Sequence, residues 1–159
     1  MRIFIHAVGR MKSGPEKELA ERYLERFRKA GGAVGLESGG VVEPAESRAR
    51  SVEERKREEG RKLAEQVGAA PLVLLDENGR DLSSREFAQL LADLRDRGEK
   101  QLTLAIGGPD GHDPEMQARA ERVISFGKAT WPHQLVRVML AEQLYRAVTI
   151  LSGHPYHRD

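Results

Sequence analysis

The chain has 159 residues, the length of one ordinary domain. It contains no cysteine, which excludes disulfide bonds and thiolate metal sites. Hydrophobic residues make up 39% and charged residues 32%, which is typical of a globular protein with a heavily charged surface. The formal net charge of +1 excludes a broad basic footprint for nucleic acid, so any RNA contact must come from a local basic patch.

The chain begins with an apolar, β-rich run at residues 2–8, which predicts a strand. This run is too short for a signal peptide, and no segment approaches the length of a membrane span, so we expect a cytoplasmic protein without a membrane partner. A helix is predicted from Pro15, where an early proline and acidic residues favour a first turn, to the glycine pair Gly31-Gly32.

The next segments carry weaker signals. Residues 33–42 predict a strand that glycines weaken, and residues 43–50 predict a mobile loop. A capping box at Ser51-Val52-Glu53-Glu54 predicts a helix that continues to about Val67. Because this helix is charged almost throughout, a solvated face is its expected role.

The second half of the chain alternates strands and helices. Strands are predicted at residues 71–75, 102–106 and 122–126, and helices from a cap at Ser83 to Gly98, from a cap at Asp113 to about residue 121, and over residues 133–152. The first two of these strands are continuous apolar runs, typical of strands buried on both faces. Residues 76–79 predict a turn.

Strands that alternate with helices predict an α/β fold with a mainly parallel sheet flanked by helices, in a single domain over residues 1–159. Ligands of such sheets bind beyond the carboxyl ends of the strands. Three strand ends carry suggestive loops, after Leu75, after Ile106 and after Phe126. The last two run into glycine turns, at Gly107-Gly108-Pro109-Asp110-Gly111 and near Gly127, where bare backbone can approach a ligand. From the residues alone, a plain strand-to-helix turn at the first of these is an equally good interpretation.

The C-terminal third carries a set of motifs that closely resembles one family. The motifs are Ile106-Gly107-Gly108-x-x-Gly111, Ser125-Phe126, Thr130-x-Pro132-His133, Arg137-Val138, Ala141-Glu142-Gln143-x-Tyr145-Arg146-Ala147 and His154-Pro155-Tyr156-His157-Arg158. They resemble the large-subunit ribosomal RNA methyltransferase H family, small SPOUT (α/β-knot) enzymes that methylate N3 of a pseudouridine in a stem-loop of 23S rRNA at the ribosomal subunit interface. The resemblance covers the whole chain.

The resemblance implies a deep trefoil knot in the C-terminal part, S-adenosylmethionine as cofactor, and a homodimer in which the tail of one subunit completes the site of the other. It also implies 23S rRNA within the assembled ribosome as partner. Carried over residue by residue, the implied donor contacts are Leu75, Gly107, Phe126, Gly127, Lys128, Ala129, Thr130 and Trp131. Trp131 fits a core position as well as the wall of a donor slot.

The tail offers candidate catalytic groups at His154, Tyr156, His157 and Arg158. The imide nitrogen of pseudouridine loses a proton as it is methylated, so a general base or a cation that stabilises the anion would help. We expect Tyr156 and His157 to orient or deprotonate the base, and Arg158 to hold a phosphate or the developing anion. Two alternatives stay open, a disordered terminus and a metal site formed by His154, His157 and Asp159.

Two arginines of the last predicted helix, Arg137 and Arg146, are nine residues apart and so lie on opposite sides of it. Ion pairing, with a carboxylate such as Glu142, is the default expectation for both. The alternative is that one arginine faces the dimer partner and the other faces RNA. His133 is expected to pack locally at the start of the same helix.

Contacts to RNA are the least specific part of the pattern. Lys128 and the loop at residues 10–12 are candidate phosphate contacts. The near-zero net charge predicts poor binding of free RNA, and hence activity on whole ribosomes rather than isolated rRNA. A non-catalytic ribosome-binding protein with the same fold is the competing class.

Overall fold

The computed structural model of the protein describes residues 1–158. Its strands are β1 (Arg2–Ala7), β2 (Glu37–Val42), β3 (Leu72–Asp81), β4 (Gln101–Ile106) and β5 (Arg122–Ser125). Its helices are α1 (Pro15–Ala30), α2 (Val52–Val67), α3 (Ser84–Asp96), α4 (Pro114–Arg119) and α5 (His133–Ser152), with a 3-10 turn at Gly31–Val34. The alternation confirms the predicted α/β fold.

All five strands belong to one parallel sheet with the order β2-β1-β4-β3-β5. Side chains alternate between its two faces along β3: Val73 and Leu75 join the larger core, while Leu72 and Leu74 join the smaller one. Helices α1, α3 and α5 cover the first face and α2 and α4 the second. Because both faces are covered, the central strands are continuous apolar runs, as predicted.

The second strand starts later than the sequence predicts. Residues 31–34 form a 3-10 turn, and β2 begins only at Glu37. The turn is tight because the Leu36 amide donates to the Gly31 carbonyl (2.9 Å) and a Cβ atom on Gly31 would collide with the Leu36 carbonyl. Gly35 then takes a left-handed conformation with φ 70°. Residues 33–34 are therefore not strand.

The predicted turn at residues 76–79 interrupts β3 without ending it. The Asn78 amide donates to the Asp76 carboxylate (2.9 Å), which closes an Asx turn. The strand then resumes, so Leu75 and Arg80 both pair with Ile124 of β5. A Cβ atom on Gly79 would lie 2.5 Å from the Ile124 carbonyl carbon, so glycine is what allows this close return.

Helix α2 and the loop before it are more firmly attached than the sequence predicts. The loop at residues 43–50 is held to β1, because the Gly9 amide donates to the Pro44 carbonyl (2.8 Å). It is held to α2 as well, because the Ser47 amide donates to Glu59 (2.9 Å). The solvated-face interpretation of α2 is wrong for one narrow stripe at helical spacing, which is buried and contains Glu59, Leu63 and Val67.

Within residues 1–158, none of the helices combines the length and the apolar character that crossing a bilayer requires.

Candidate active site

A cleft of about 490 Å³ opens at the carboxyl ends of three neighbouring strands, β4, β3 and β5. This volume lies within the range of small-molecule and cofactor sites. The turn that follows the buried first part of β3, which we call the loop after β3, contributes residues 76–78. The glycine loop after β4 contributes residues 107–112, and the segment after β5 contributes residues 126–131 except Lys128. The first turn of α5 closes one side with His133 and Val136.

The glycine loop is held against α2 by charge and by close packing. Arg55 on α2 donates to both carboxylate oxygens of Asp110, at 2.6 and 3.2 Å, and its guanidinium holds the pKa of that carboxyl below its usual range. The Gly111 amide donates to the Gly108 carbonyl (3.0 Å). A Cβ atom on Gly108 would lie 2.7 Å from a carboxylate oxygen of Glu59, so this backbone passes where a side chain has no room.

The segment after β5 bends over the cleft. Gly127 has φ 104°, a conformation that favours glycine, and the Ser125 hydroxyl donates to its carbonyl (2.8 Å). The Trp131 indole donates to the Phe126 carbonyl (3.3 Å), and the Thr130 hydroxyl donates to Glu77 in the loop after β3 (3.2 Å). These contacts hold the segment in an arch whose backbone faces the other two loops.

The eight positions that the family resemblance marks for the donor fall together in space. Seven of them line the cleft: Leu75, Gly107, Phe126, Gly127, Ala129, Thr130 and Trp131. Lys128 is exposed at the crest of the arch and is not part of the lining that residues 1–158 provide. Trp131 is 42% exposed, so it is a wall of the cleft and not a core residue. His133, expected to pack locally, lies on the cleft as well.

The tail folds back on α5 instead of extending into solvent. The Tyr156 hydroxyl donates to the Glu142 carboxylate (3.1 Å), and the Tyr156 ring lies 4.9 Å from both the Tyr145 ring centroid and the Arg146 guanidinium carbon. Arg146 donates to Nδ1 of His157 (3.3 Å). Tyr156 and His157 are half-buried, which is against a disordered terminus for this part of the tail.

Of the four candidate residues in the tail, His154 and Arg158 are exposed. The metal alternative needs Asp159, which lies outside the described residues. The described part of the chain contains no group of three or more His, Asp or Glu side chains arranged to hold a metal ion.

Burial is the main reason that the pKa of Tyr156 is raised above its usual range. Hydrogen bonding to Tyr23 and the negative charge of Glu142 act in the same direction. The phenol therefore keeps its proton at neutral pH.

The cleft and the tail do not meet within one chain. Among residues 1–158, those that line the cleft include none of the four tail candidates. Glu142, which accepts the hydrogen bond from the Tyr156 hydroxyl, lies six residues beyond Val136 of the cleft wall, about 9 Å along the axis of α5. A site that used both parts would need the tail of a second copy or a movement of the tail.

A family model described as "Predicted SPOUT methyltransferase" matches residues 1–157. Three relatives named Ribosomal RNA large subunit methyltransferase H match over nearly the full length of both chains. That of Chelativorans sp. is 65% identical, covering 100% of this chain and 92% of its own. That of Mesorhizobium japonicum is 62% identical over 99% of each chain, and that of Brucella abortus is 53% identical over 100% of each. This chain belongs to the ribosomal RNA large subunit methyltransferase H family of SPOUT methyltransferases.

A solved structure has a similar α/β fold. A probable methylase family protein from Haemophilus influenzae superposes with a TM-score of 0.55, covering 97% of this chain and 67% of its own. At 12% identity this likeness concerns the fold alone.

Two arginines in the SPOUT family motifs make ion pairs, which confirms the prediction for both. Arg137 is buried and donates to Glu43 (2.5 Å) and to the carbonyls of Val8 and Gly9 at the end of β1. Arg146 donates to Glu142 (2.9 Å) and so supports the tail. Arg137 therefore connects α5 to the end of the sheet, and Arg146 connects α5 to the C-terminal residues.

The sequence marks the loop after Leu75 as one of three suggestive strand ends, but it did not predict that two carboxylates there form an acidic side of this SPOUT cleft. Asp76 and Glu77 line it, and the Asp76 carboxylate accepts hydrogen bonds from Asn78 and, at 3.4 Å, from Gln117. The available signal was an aspartate that directly follows a buried parallel strand, the usual place for a functional side chain in such sheets.

His112, to which the sequence assigned no role, is buried in the cleft wall. It is 5% exposed, and its Nε2 donates to the Leu75 carbonyl at the end of β3 (2.9 Å). Burial lowers its pKa below the ordinary value of 6.5, with the Leu75 hydrogen bond and Asp76 acting in the opposite direction. The sequence gives no local signal for this contact because the partners are 37 positions apart.

Proposed function

We propose that this protein transfers a methyl group from S-adenosylmethionine to N3 of a pseudouridine in a 23S rRNA stem-loop of the assembled ribosome. The observation that carries the proposal is the convergence of seven family donor positions on one cleft at the ends of three parallel strands. The relatives' name, Ribosomal RNA large subunit methyltransferase H, supports the choice of substrate.

The residues of the cleft fit the chemistry of this donor. Leu75, Phe126 and Ala129 offer apolar surface for adenine, with the backbone of residues 126–131 at its edge. Gly107 allows close approach because it has no side chain. The carboxylates of Asp76 and Glu77 favour a ligand that carries a sulfonium cation. When bound, S-adenosylmethionine would supply an electrophilic methyl group on a positively charged sulfur.

The tail residues then act on the nucleotide that accepts the methyl group. The N3 proton has to leave, and the negative charge that develops on the base has to be stabilised. Arg146 donates to Nδ1 of His157 and so holds this ring at the end of the tail, where it can orient the base. Arg158 is exposed and can hold a phosphate or the anion. Tyr156 keeps its proton and therefore serves to position the tail rather than as the base.

The assembly that we propose is a homodimer in which each tail closes the cleft of the other subunit. The separation of cleft and tail within one chain supports it. The trefoil knot that the family resemblance implies stays a prediction, as does the cytoplasmic location.

Two measurements test the proposal. Calorimetry should show stoichiometric binding of S-adenosylmethionine, whereas a non-catalytic ribosome-binding protein should not bind it. Mass spectrometry of rRNA from cells that lack the protein should show a missing methyl group on one pseudouridine. Transfer to naked 23S rRNA at the same rate as to ribosomes would contradict the substrate assignment.

Variants separate donor binding from transfer. His157→Ala and Arg158→Ala should lower methyl transfer to ribosomes roughly a hundredfold. They should leave donor affinity within about twofold, because we assign both residues to the acceptor nucleotide and not to the donor. Arg28→Ala is the matched control, since Arg28 is an exposed arginine on α1. Unchanged turnover in both tail variants would remove these residues from the mechanism.

A further inference from the structure

His112 is a buried titratable residue that lines both the donor cleft and a second, smaller cavity. It lines the cleft, and it also lines a cavity of about 10 Å³ beneath the glycine loop, whose other wall includes His6. Its ring packs against the loop itself: a Cβ atom on Gly107 would lie 3.2 Å from Cε1 of His112. A charge on this ring would therefore arise directly beside the loop that faces the donor.

The hydrogen bond to Leu75 determines where that charge arises. A carbonyl oxygen only accepts, so Nε2 of His112 carries a proton whether the ring is neutral or charged. The neutral ring leaves Nδ1 without a proton, and an added proton must go to Nδ1. Protonation therefore charges the ring while the Leu75 contact is kept, so the cleft changes its charge without losing this support.

Charged and titratable groups of both signs face His112 from the elements packed around it. They are His6 on β1, Lys56 and Glu59 on α2, Asp76 after β3, and Asp110 and Asp113 in its own loop and helix cap. His6 and Lys56 disfavour a charged His112, and Asp76 favours it. Asp110 is already paired with Arg55, and Glu59 already accepts from Ser47.

We propose that His112 is a specificity-determining residue of the donor cleft, which accepts the sulfonium donor when its ring is neutral and discriminates against that donor when its ring is protonated. This inference rests on the proposed function, because it takes S-adenosylmethionine as the ligand. The donor and its product S-adenosylhomocysteine share adenine, ribose and amino-acid groups and differ in a methyl group and one positive charge. Repulsion between a charged ring and the sulfonium therefore acts on the donor and not on the thioether.

The size of the effect follows from Coulomb's law. Two unit charges about 10 Å apart at an effective dielectric constant of about 20 to 40 change a binding constant roughly four- to fifteenfold. Linkage requires the reciprocal effect, so bound donor must make His112 harder to protonate than bound product does.

The experiment compares the two ligands in the same protein at several pH values. Dissociation constants of S-adenosylmethionine and S-adenosylhomocysteine are measured by calorimetry between pH 8 and pH 5 for the full chain. Their ratio cancels every pH effect that the two ligands share, and continued binding of the thioether shows that the protein is still folded.

Two variants make the comparison specific to His112. His112→Gln does not titrate, while its amide nitrogen can replace Nε2 as donor to the Leu75 carbonyl. His6→Gln removes the other buried imidazole and with it a group that opposes the charge on His112.

In the wild-type protein, the ratio of donor to product dissociation constants should rise on acidification towards the four- to fifteenfold limit. It should stay flat in His112→Gln, and in His6→Gln it should rise at a higher pH than in the wild type. A flat ratio in the wild type, or an equal rise in His112→Gln, would overturn the proposal while leaving the proposed function standing. Failure of both ligands to bind at pH 8 would refute the proposed function and this inference with it.

Discussion

Replacing Arg137 with methionine should remove a buried connection between the end of β1, the loop after β2 and helix α5. The guanidinium is 9% exposed and donates to the carbonyls of Val8 (2.9 Å) and Gly9 (2.5 Å) as well as to Glu43. Methionine fills part of the same volume but donates no hydrogen bond. Each orphaned buried carbonyl costs about 1–2 kcal/mol, so the two together should lower the free energy of unfolding by about 2–4 kcal/mol.

Urea denaturation followed by circular dichroism measures this loss directly. In a domain of this length the same loss lowers the melting temperature by roughly 4–16 °C. Arg28→Met is the control, because Arg28 is 62% exposed and its partner Glu25 is on the same helix; it should leave the denaturation midpoint unchanged. If Arg137→Met unfolds within about 0.5 kcal/mol of the wild type, the energetic role that we assign to this arginine is wrong.

Three further predictions concern the cleft, the buried histidines and the tail. Gly79→Ala should lower methyl transfer roughly ten- to a hundredfold, because its Cβ atom would lie 2.5 Å from the Ile124 carbonyl carbon and displace a wall of the cleft. Gly32→Ala is the control, because a Cβ atom on Gly32 would meet open space. Equal rates of methyl transfer in the two variants would contradict this prediction. Burial lowers the pKa of His6, so on acidification the unfolded chain binds a proton more readily than the folded chain does. The free energy of unfolding should therefore fall as the pH drops below 6.5. In urea denaturation between pH 7.5 and pH 5, the free energy of unfolding of His6→Gln should fall by less than that of the wild type. An equal fall in the two proteins would exclude His6 as the cause. Tyr156→Phe should lower turnover by the same factor at pH 7 and pH 9, since the raised pKa of the phenol keeps it protonated at both; a factor that changes with pH would show that the phenol titrates in this range.

Local patterns in the sequence were sufficient for the architecture. The capping box at Ser83 forms as predicted, with the Ser83 amide donating a hydrogen bond to the Glu86 carboxylate (2.8 Å). The buried-type runs that became β3 and β4 are adjacent and parallel. Periodicity and capping are properties of neighbouring residues, so they can be read before the chain is folded.

The departures from prediction arise where distant residues decide the local structure. The resumption of β3 depends on Ile124, which is 45 positions from Gly79. The 3-10 turn at residues 31–34 is the exception, because its contact with Leu36 is local. Helix α2 looked solvated because its buried stripe contains Glu59, whose burial is tolerated only because the Ser47 amide donates to it. The hydrophobic pattern of a sequence gives no indication of such a hydrogen-bond partner.

Some residues of the candidate site could likewise be predicted from the sequence, and others could not. The family motifs predicted that the glycine loop and the segment after β5 line one cleft, and Leu75-Asp76 fits the same family, whereas no motif predicted that His112 lines it. His112 depends on the Leu75 carbonyl and His6 on the Gln66 side chain, 37 and 60 positions away. A single sequence carries no signal for pairs at that separation.

Mixing two inactive variants tests most directly whether the cleft of one subunit works with the tail of another. Gly108→Val should inactivate the cleft, because its side chain would collide with Glu59, and the double variant of His157 and Arg158 to alanine should inactivate the tail. Unfolded together and refolded as a statistical mixture, they should recover about a quarter of wild-type methyl transfer to ribosomes, since half of the dimers are mixed and each has one intact site. A mixture as inactive as its two components, with mixed dimers demonstrated by mass spectrometry, would contradict the account.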